Sequence, residues 1–149
     1  MSTTGIEAFD STLQKTHIWL NSVMAELGWE DRQKAYLALR ATLHALRDRL
    51  IIEEVTHLGA QLPMLVRGFY YEGWHPSGKP LKEHKEQFLS HINESFRNDP
   101  DVNAEQVACA VFRVLANYIA SGEIADVKSL LPKDLEALWP QAGGKDDDS

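Results

Sequence analysis

The chain has 149 residues, of which 44% are hydrophobic and 25% are charged, a balance typical of a globular protein with one core. Its formal net charge is −7, with lysines and arginines scattered among acids. We expect no nucleic-acid partner, because a polyphosphate requires a basic face. We also expect no membrane partner, because no stretch approaches the roughly 20 apolar residues of a membrane span. The N-terminus lacks the layout of a signal peptide, and the single cysteine, Cys109, cannot form an internal disulfide. These features predict a cytoplasmic protein.

The first two predicted helices are long and amphipathic. Residues 1–8 are small and polar, and we expect them to be a flexible N-terminus. From Phe9 to Leu27 apolar residues recur at spacings of three and four, which predicts a helix. Gly28 is positioned to end this helix, because glycine enters the left-handed conformation freely. Asp31 is suited to cap the next helix, whose apolar stripe runs over 35–50.

Two shorter helices are predicted next, followed by a break. Glu53 and Glu54 begin one of them, at the positive end of the helix dipole. Pro63 begins the other, and its predicted inner face is Leu65, Val66 and Phe69. Residues 73–80 contain two glycines and two prolines, which predict an irregular hinge.

The chain then repeats the plan of its first half. Residues 38–70 align with residues 107–139 at an offset of 69 without a gap. The aligned identities include Leu46/Leu115, Glu54/Glu123, Leu62/Leu131 and Pro63/Pro132. No segment shows the sustained alternation of a strand. We therefore predict an all-α fold of two tandem repeats of about four helices each, residues 9–72 and 81–140, packed as a pseudo-twofold helical bundle in one compact domain. Residues 141–149 are predicted to be a disordered acidic tail.

Two motifs resemble a known bacterial family. The run LPMLVRGFYYEGWHPSGKP, residues 62–80, and the run LLPKDLEALWP, residues 130–140, resemble the family catalogued as domain of unknown function 2267. The resemblance covers roughly residues 9–140. It implies an all-helical fold and no assigned activity, and it carries no catalytic residues over to this chain.

The hinge and its flanks hold the candidate binding residues. They combine aromatic, cationic and imidazole side chains on irregular backbone: Arg67, Tyr70, Tyr71, Trp74, His75 and Lys79. Loops placed by a rigid scaffold often carry binding residues, and Tyr, Trp and Arg dominate interface hot spots. The alternative interpretation is structural, in which the aromatic residues fix the angle between the two repeats. The sequence leaves both open.

The other groups of polar residues do not predict a catalytic or metal site. Glu54 and His57 lie three residues apart, a spacing seen in di-iron bundles, and the second copy offers Glu123 and Asp126 in register. We interpret these acids as first-turn cap and dipole partners and predict no metal site. The charged residues Arg40, Arg47, Asp48, Arg49, Glu53 and Glu54 are predicted to be a solvated face, and His17, His44, His84 and His91 to be surface groups. No catalytic residue and no cofactor is predicted.

Two functions remain as hypotheses. The first is a non-enzymatic protein–protein interaction or adaptor module with an unknown protein partner. A groove between the halves would receive an amphipathic helix, and a homodimer is a further possibility. The alternative is a small-molecule binding protein or enzyme with a pocket between the two repeats, where His75, Tyr71 and Lys79 would be the polar groups.

Overall fold

The computed structural model describes residues 3–141, and within that range it contains eight α-helices and no strand. They are α1 (Glu7–Leu27), α2 (Arg32–Arg47), α3 (Ile52–Ala60), α4 (Met64–Tyr71), α5 (Lys85–Ser95), α6 (Ala104–Tyr118), α7 (Ser121–Ser129) and α8 (Lys133–Glu136). The predicted all-α fold class is confirmed. The predicted acidic tail lies outside the described residues except for Gln141. None of these helices is long and apolar enough to cross a membrane.

The ends of the first two helices are as the sequence predicts. Gly28 follows α1 in the left-handed conformation, with φ of 69°, and its N–H bonds to the carbonyl of Met24. Asp31 caps α2 by accepting a hydrogen bond from the backbone N–H of Lys34. Helix α1 begins at Glu7, so residues 7 and 8 of the predicted flexible N-terminus are helical.

The core forms where four longer helices meet. Helix α1 packs on α2 and α6, α5 packs on the same two helices, and α2 also contacts α6. The largest buried side chains there are aromatic or branched, and the ring of Phe112 stacks on that of Trp139 with centroids 4.1 Å apart. Each fully buried side chain of this size contributes about 1.5–3 kcal/mol. The short helices α3 and α7 pack against each other beside this core.

Two residues predicted to face the core are exposed. Phe9 and Leu65 keep 47% and 42% of their surface in solvent. Phe9 lies three and seven residues before Thr12 and Thr16, on the same face of α1. Thr12 is the first buried residue of that helix, so Phe9 lies N-terminal to the packed length of α1. The hydroxyl of Thr12 accepts a hydrogen bond from the N–H of Leu65 at 2.8 Å, which satisfies a free donor in the first turn of α4.

The predicted solvated charged face is wrong for two of its arginines. Arg47 and Arg49 are each only 4% exposed. Arg47 donates hydrogen bonds to the carbonyls of Tyr70 and Glu72, at 2.7 and 3.0 Å. Arg49 donates to the carbonyl of Ala45 and pairs with Glu83. The last carbonyls of a helix lack intrahelical partners, so the polar side chains of α2 satisfy the end of α4.

His44 is also misplaced by the sequence prediction. It is half-buried rather than on the surface, and its Nε2 lies 2.6 Å from the carbonyl oxygen of Phe69. Burial lowers the pKa of His44, so the neutral ring donates this hydrogen bond near neutral pH. Together with Arg47, it holds the C-terminal end of α4 on α2.

Candidate functional site

The irregular segment between α4 and α5 is held on α2 rather than extending freely. Residues 72–84 contain no helix, and Gly73 and Gly78 adopt positive φ angles of 77° and 78°. The N–H of Leu81 donates to the carbonyl of Asp48 at 2.8 Å. This bond attaches the C-terminal part of the segment to the end of α2.

Two of the predicted binding residues use their polar groups in hydrogen bonds within the fold. Arg67 donates hydrogen bonds to the carbonyls of Gly59, Ala60 and Leu62, and so caps the C-terminal end of α3. Tyr70 is fully buried, and its hydroxyl donates to the carbonyl of Val55 at 2.7 Å. Burial raises the pKa of Tyr70, so this hydroxyl stays protonated. Both side chains are committed to packing α4 against α3.

The other four predicted residues are more accessible. Tyr71 and Trp74 are half-buried, and their ring centroids lie 5.8 Å apart. The Nε1 of Trp74 is buried and has no hydrogen-bond partner. His75 is exposed and Lys79 is half-buried. No hydrogen bond, ion pair or ring contact among residues 3–141 joins the side chains of His75 or Lys79 to the two aromatic rings, so the six residues do not converge on one point.

A second surface, missed by the sequence analysis, has a more continuous apolar character. An open groove of about 360 Å³, called here the α1 groove, is lined by residues of α1, the α3–α4 turn and the end of α6: Lys15, Ile18, Trp19, Gln61, Leu62, Pro63 and Tyr118. The rings of Trp19 and Tyr118 stack with centroids 5.2 Å apart and form one wall. Ile18 and Tyr118 are each 44% exposed.

Other exposed apolar residues lie on the helices that border the groove. Nine large hydrophobic residues among the described ones are exposed, and six lie on α1 or its N-cap, on α4, or at the end of α6: Ile6, Phe9, Ile18, Met64, Leu65 and Tyr118. Helices α1 and α4 are in contact. The sequence signal for this surface was an excess of apolar residues on α1, beyond the one stripe that its packed face requires.

A third feature lies at the contact between α3 and α7. One carboxylate oxygen of Glu54, one of Glu123 and one ring nitrogen of His57 all lie within 4.8 Å of one another. The two glutamates are 8% and 9% exposed, and the Oε2 atom of each is buried without a hydrogen-bond partner. His57 is exposed. Asp126, which the sequence aligned with His57, is not part of this group.

The two carboxyl groups cannot both be charged at low cost. Burial, with a hydrogen bond and charge repulsion from Glu54, raises the pKa of Glu123 from 4.5 to about 8. Two carboxylates offer each other no donor, so that hydrogen bond exists only when one of them carries a proton. Near neutral pH the pair therefore holds one proton, or a cation in its place.

The predicted capping role of these acids is wrong. Neither Glu54 nor Glu123 accepts a hydrogen bond from a backbone N–H of the described residues, and neither pairs with a basic side chain there. The reason is that α3 and α7 pack against each other, which directs both side chains into the contact instead of toward their own first turns. The charge of the pair is left without a protein partner.

Comparisons with known proteins bear on the family of the chain. A family model described as uncharacterized conserved protein, DUF2267, matches residues 16–138. No match was found among curated proteins. Because the matched region covers most of the chain, this protein belongs to the DUF2267 family.

Proposed function

We propose that this protein is a non-enzymatic protein–protein interaction module, and that the α1 groove receives an amphipathic helix of its partner. The observation that carries the proposal is the concentration of exposed apolar residues on α1, α4 and the end of α6. Contiguous exposed apolar patches commonly mark binding surfaces. Tyr71 and Trp74 of the hinge form a smaller contact area, and Arg67 and Tyr70 act by holding the scaffold.

The groove has the composition that a helical ligand requires. Its floor is apolar, with Leu62 and Pro63 between the wall of Trp19 and Tyr118 and the exposed Ile18. A helix presents apolar side chains at spacings of three and four, and these anchors enter such a groove. The polar ends of Lys15 and Gln61 lie at the same surface and can bond to the rim of the ligand.

The charge of the chain indicates the sign of the partner's charge. The lining of the groove holds one charged residue, Lys15, but the formal net charge of the whole chain is −7. This long-range field favours a basic ligand, because complementary charge accelerates encounter. Glu7 is exposed on α1 near Phe9, at one end of the apolar surface. We therefore propose a basic amphipathic helix as the occupant.

We further propose that the eight helices form two tandem repeats related by a pseudo-twofold axis, with the groove between them. Helix α7 begins and ends 69 residues after α3 begins and ends, which is the offset of the sequence repeat and supports this arrangement. The contacts α1–α6 and α2–α5 form the reciprocal pair that a twofold relation requires. Residual dipolar couplings measure the rotation relating the halves, and a rotation far from a half-turn would contradict the arrangement.

Affinity capture from the native organism tests the function. The wild type should retain a reproducible partner that the double variant Ile18→Ser, Leu65→Ser loses. Both residues are exposed, so the folding stability should change by no more than about 0.5 kcal/mol each. Ile52→Ser is the matched control, because Ile52 is 53% exposed on a different helix. Equal capture by wild type and double variant would refute the proposal.

Two other results would point to different occupants. If light scattering shows a dimer at micromolar concentration and the double variant is a monomer, a second copy of this chain covers the groove. If purified protein carries a bound small molecule that the double variant lacks, the groove is a ligand pocket. Either result would replace the proposed helical partner.

A further inference from the structure

We propose that Glu54, His57 and Glu123 bind one divalent transition-metal cation at the contact between α3 and α7. The proposal is independent of the α1 groove. It assigns a ligand to the one group of carboxylate and imidazole donors that converges among residues 3–141.

The donor set fits such a cation. Carboxylate oxygen and imidazole nitrogen are both ligands of Zn²⁺, Mn²⁺ and Fe²⁺. Bonds of about 2.0–2.2 Å hold donor atoms roughly 3–3.5 Å apart around the ion. The three donors lie within 4.8 Å of one another, so small side-chain rotations bring them to that spacing.

The unpartnered oxygens are a separate observation that points to a ligand. The Oε2 atoms of Glu54 and Glu123 are buried, and no backbone group or third side chain of the described chain donates to them, so only a proton shared by the pair or a bound ligand can satisfy them. Buried polar atoms without partners are rare, because each has lost its hydrogen bonds to water without gaining others. A cation between the two carboxylates satisfies both atoms and removes the repulsion between them.

The position of His57 shows how a cation can reach the site from solvent. The two glutamates are nine-tenths buried, whereas His57 is exposed, so the site opens to solvent on the side of the imidazole. The spacing of Glu54 and His57 places both on one face of α3. With three protein ligands, at least one coordination position is left for water, as in open metal sites.

Titration of the untagged, EDTA-treated full chain with Zn²⁺ and Co²⁺ tests the proposal. We expect one Zn²⁺ per chain by calorimetry and a visible Co²⁺ absorption band. Glu54→Gln, Glu123→Gln and His57→Ala should each weaken binding by at least about tenfold, because loss of even outer partners typically costs that much. Glu53→Gln and His17→Ala are the controls, since both residues are exposed and outside the group, and binding should be unchanged.

Several results would overturn the proposal. One is the absence of Zn²⁺ and Co²⁺ binding by the wild type. Another is binding that Glu54→Gln and Glu123→Gln leave unchanged, which would place the ion elsewhere on this acidic chain. If the glutamine variants fail to fold, Co²⁺ added to the wild type decides, because it should shift the ring-proton resonances of His57 and leave those of His17 in place. Equal effects on the two rings would refute the site.

Discussion

The buried carboxyl pair gives the sharpest prediction for the metal-free protein. Replacing Glu123 with Gln removes one titrating group and supplies an amide that donates a hydrogen bond to the carboxylate of Glu54 at every pH. The shape of the side chain is nearly unchanged. The variant therefore isolates the energetic consequence of placing two carboxyl groups in one buried contact.

The sign of the effect follows from the raised pKa of Glu123. Between pH 4.5 and about 8 the folded protein holds a proton that the unfolded chain has lost. The free energy of unfolding of the wild type therefore falls as the pH rises through this range, and the loss is complete above about pH 8. Glu123→Gln lacks this dependence.

The magnitude follows from the same shift. Moving the pKa of Glu123 from 4.5 to about 8 corresponds to roughly 4–5 kcal/mol at 1.36 kcal/mol per pKa unit. The two side chains can separate toward water once both are charged, which recovers part of that energy. We expect the variant to gain about 2–3 kcal/mol over the wild type between pH 5 and pH 9.

Urea titrations at pH 5, 7 and 9 in the presence of EDTA measure this difference. Other groups titrate in both proteins and cancel in the comparison. Glu53→Gln is the matched control and should follow the wild type at each pH, because Glu53 is exposed. A stability difference between Glu123→Gln and wild type that stays constant within about 0.5 kcal/mol from pH 5 to pH 9 would show that the pKa of Glu123 is not raised by folding.

Three further predictions concern α4 and the hinge and are measured by urea titration. Arg67→Met should lower the free energy of unfolding by about 1–3 kcal/mol, because three carbonyls at the end of α3 lose their donor. An unchanged urea midpoint would show that water replaces the guanidinium of Arg67 as the donor without cost. Tyr70→Phe should cost about 1 kcal/mol through the lost bond to Val55, and a gain in stability would contradict that bond. Trp74→Ala should cost about 1–2 kcal/mol, between the values for surface and fully buried residues. A cost above about 3 kcal/mol would mean that Trp74 is a core residue.

Local patterns predicted the elements of this fold well. The spacing of apolar residues gave the all-α class, and Gly28 and Asp31 marked the end of α1 and the start of α2. These features depend on neighbouring residues in the chain, because capping and helical periodicity are local interactions. The sequence offset of 69 also matched the separation of α3 from α7.

Features that depend on the packing of distant segments were missed. Arg47 appears as a surface charge in sequence, and only the end of α4 beside it explains its burial. Glu54 and Glu123 looked like first-turn caps, whereas the contact of α3 with α7 brings them together. The repeat alignment places these two residues at equivalent positions, but an alignment alone does not predict the distance between them in the fold.

The residues of the α1 groove were not predicted as a group. Aromatic residues in the hinge and its flank suggested a different site, of which Tyr70 is buried and Arg67 is half-buried, and both donate hydrogen bonds to carbonyls of α3. Ile18 and Tyr118, exposed in the α1 groove, are 100 residues apart in sequence. No sequence pattern relates positions so far apart unless the packing of α1 on α6 is known.

Binding of a helical peptide to the α1 groove is the most direct test of the proposed function. The probe is a synthetic 18-residue amphipathic helix of leucine and lysine, titrated while tryptophan fluorescence is followed, because Trp19 forms a wall of the groove. We expect saturable binding that the double variant Ile18→Ser, Leu65→Ser weakens at least about tenfold. Ile52→Ser should leave the binding intact, and a leucine–glutamate peptide of the same pattern should not bind in this way. Equal binding to wild type and double variant, or equal binding of the two peptides, would contradict the proposed function.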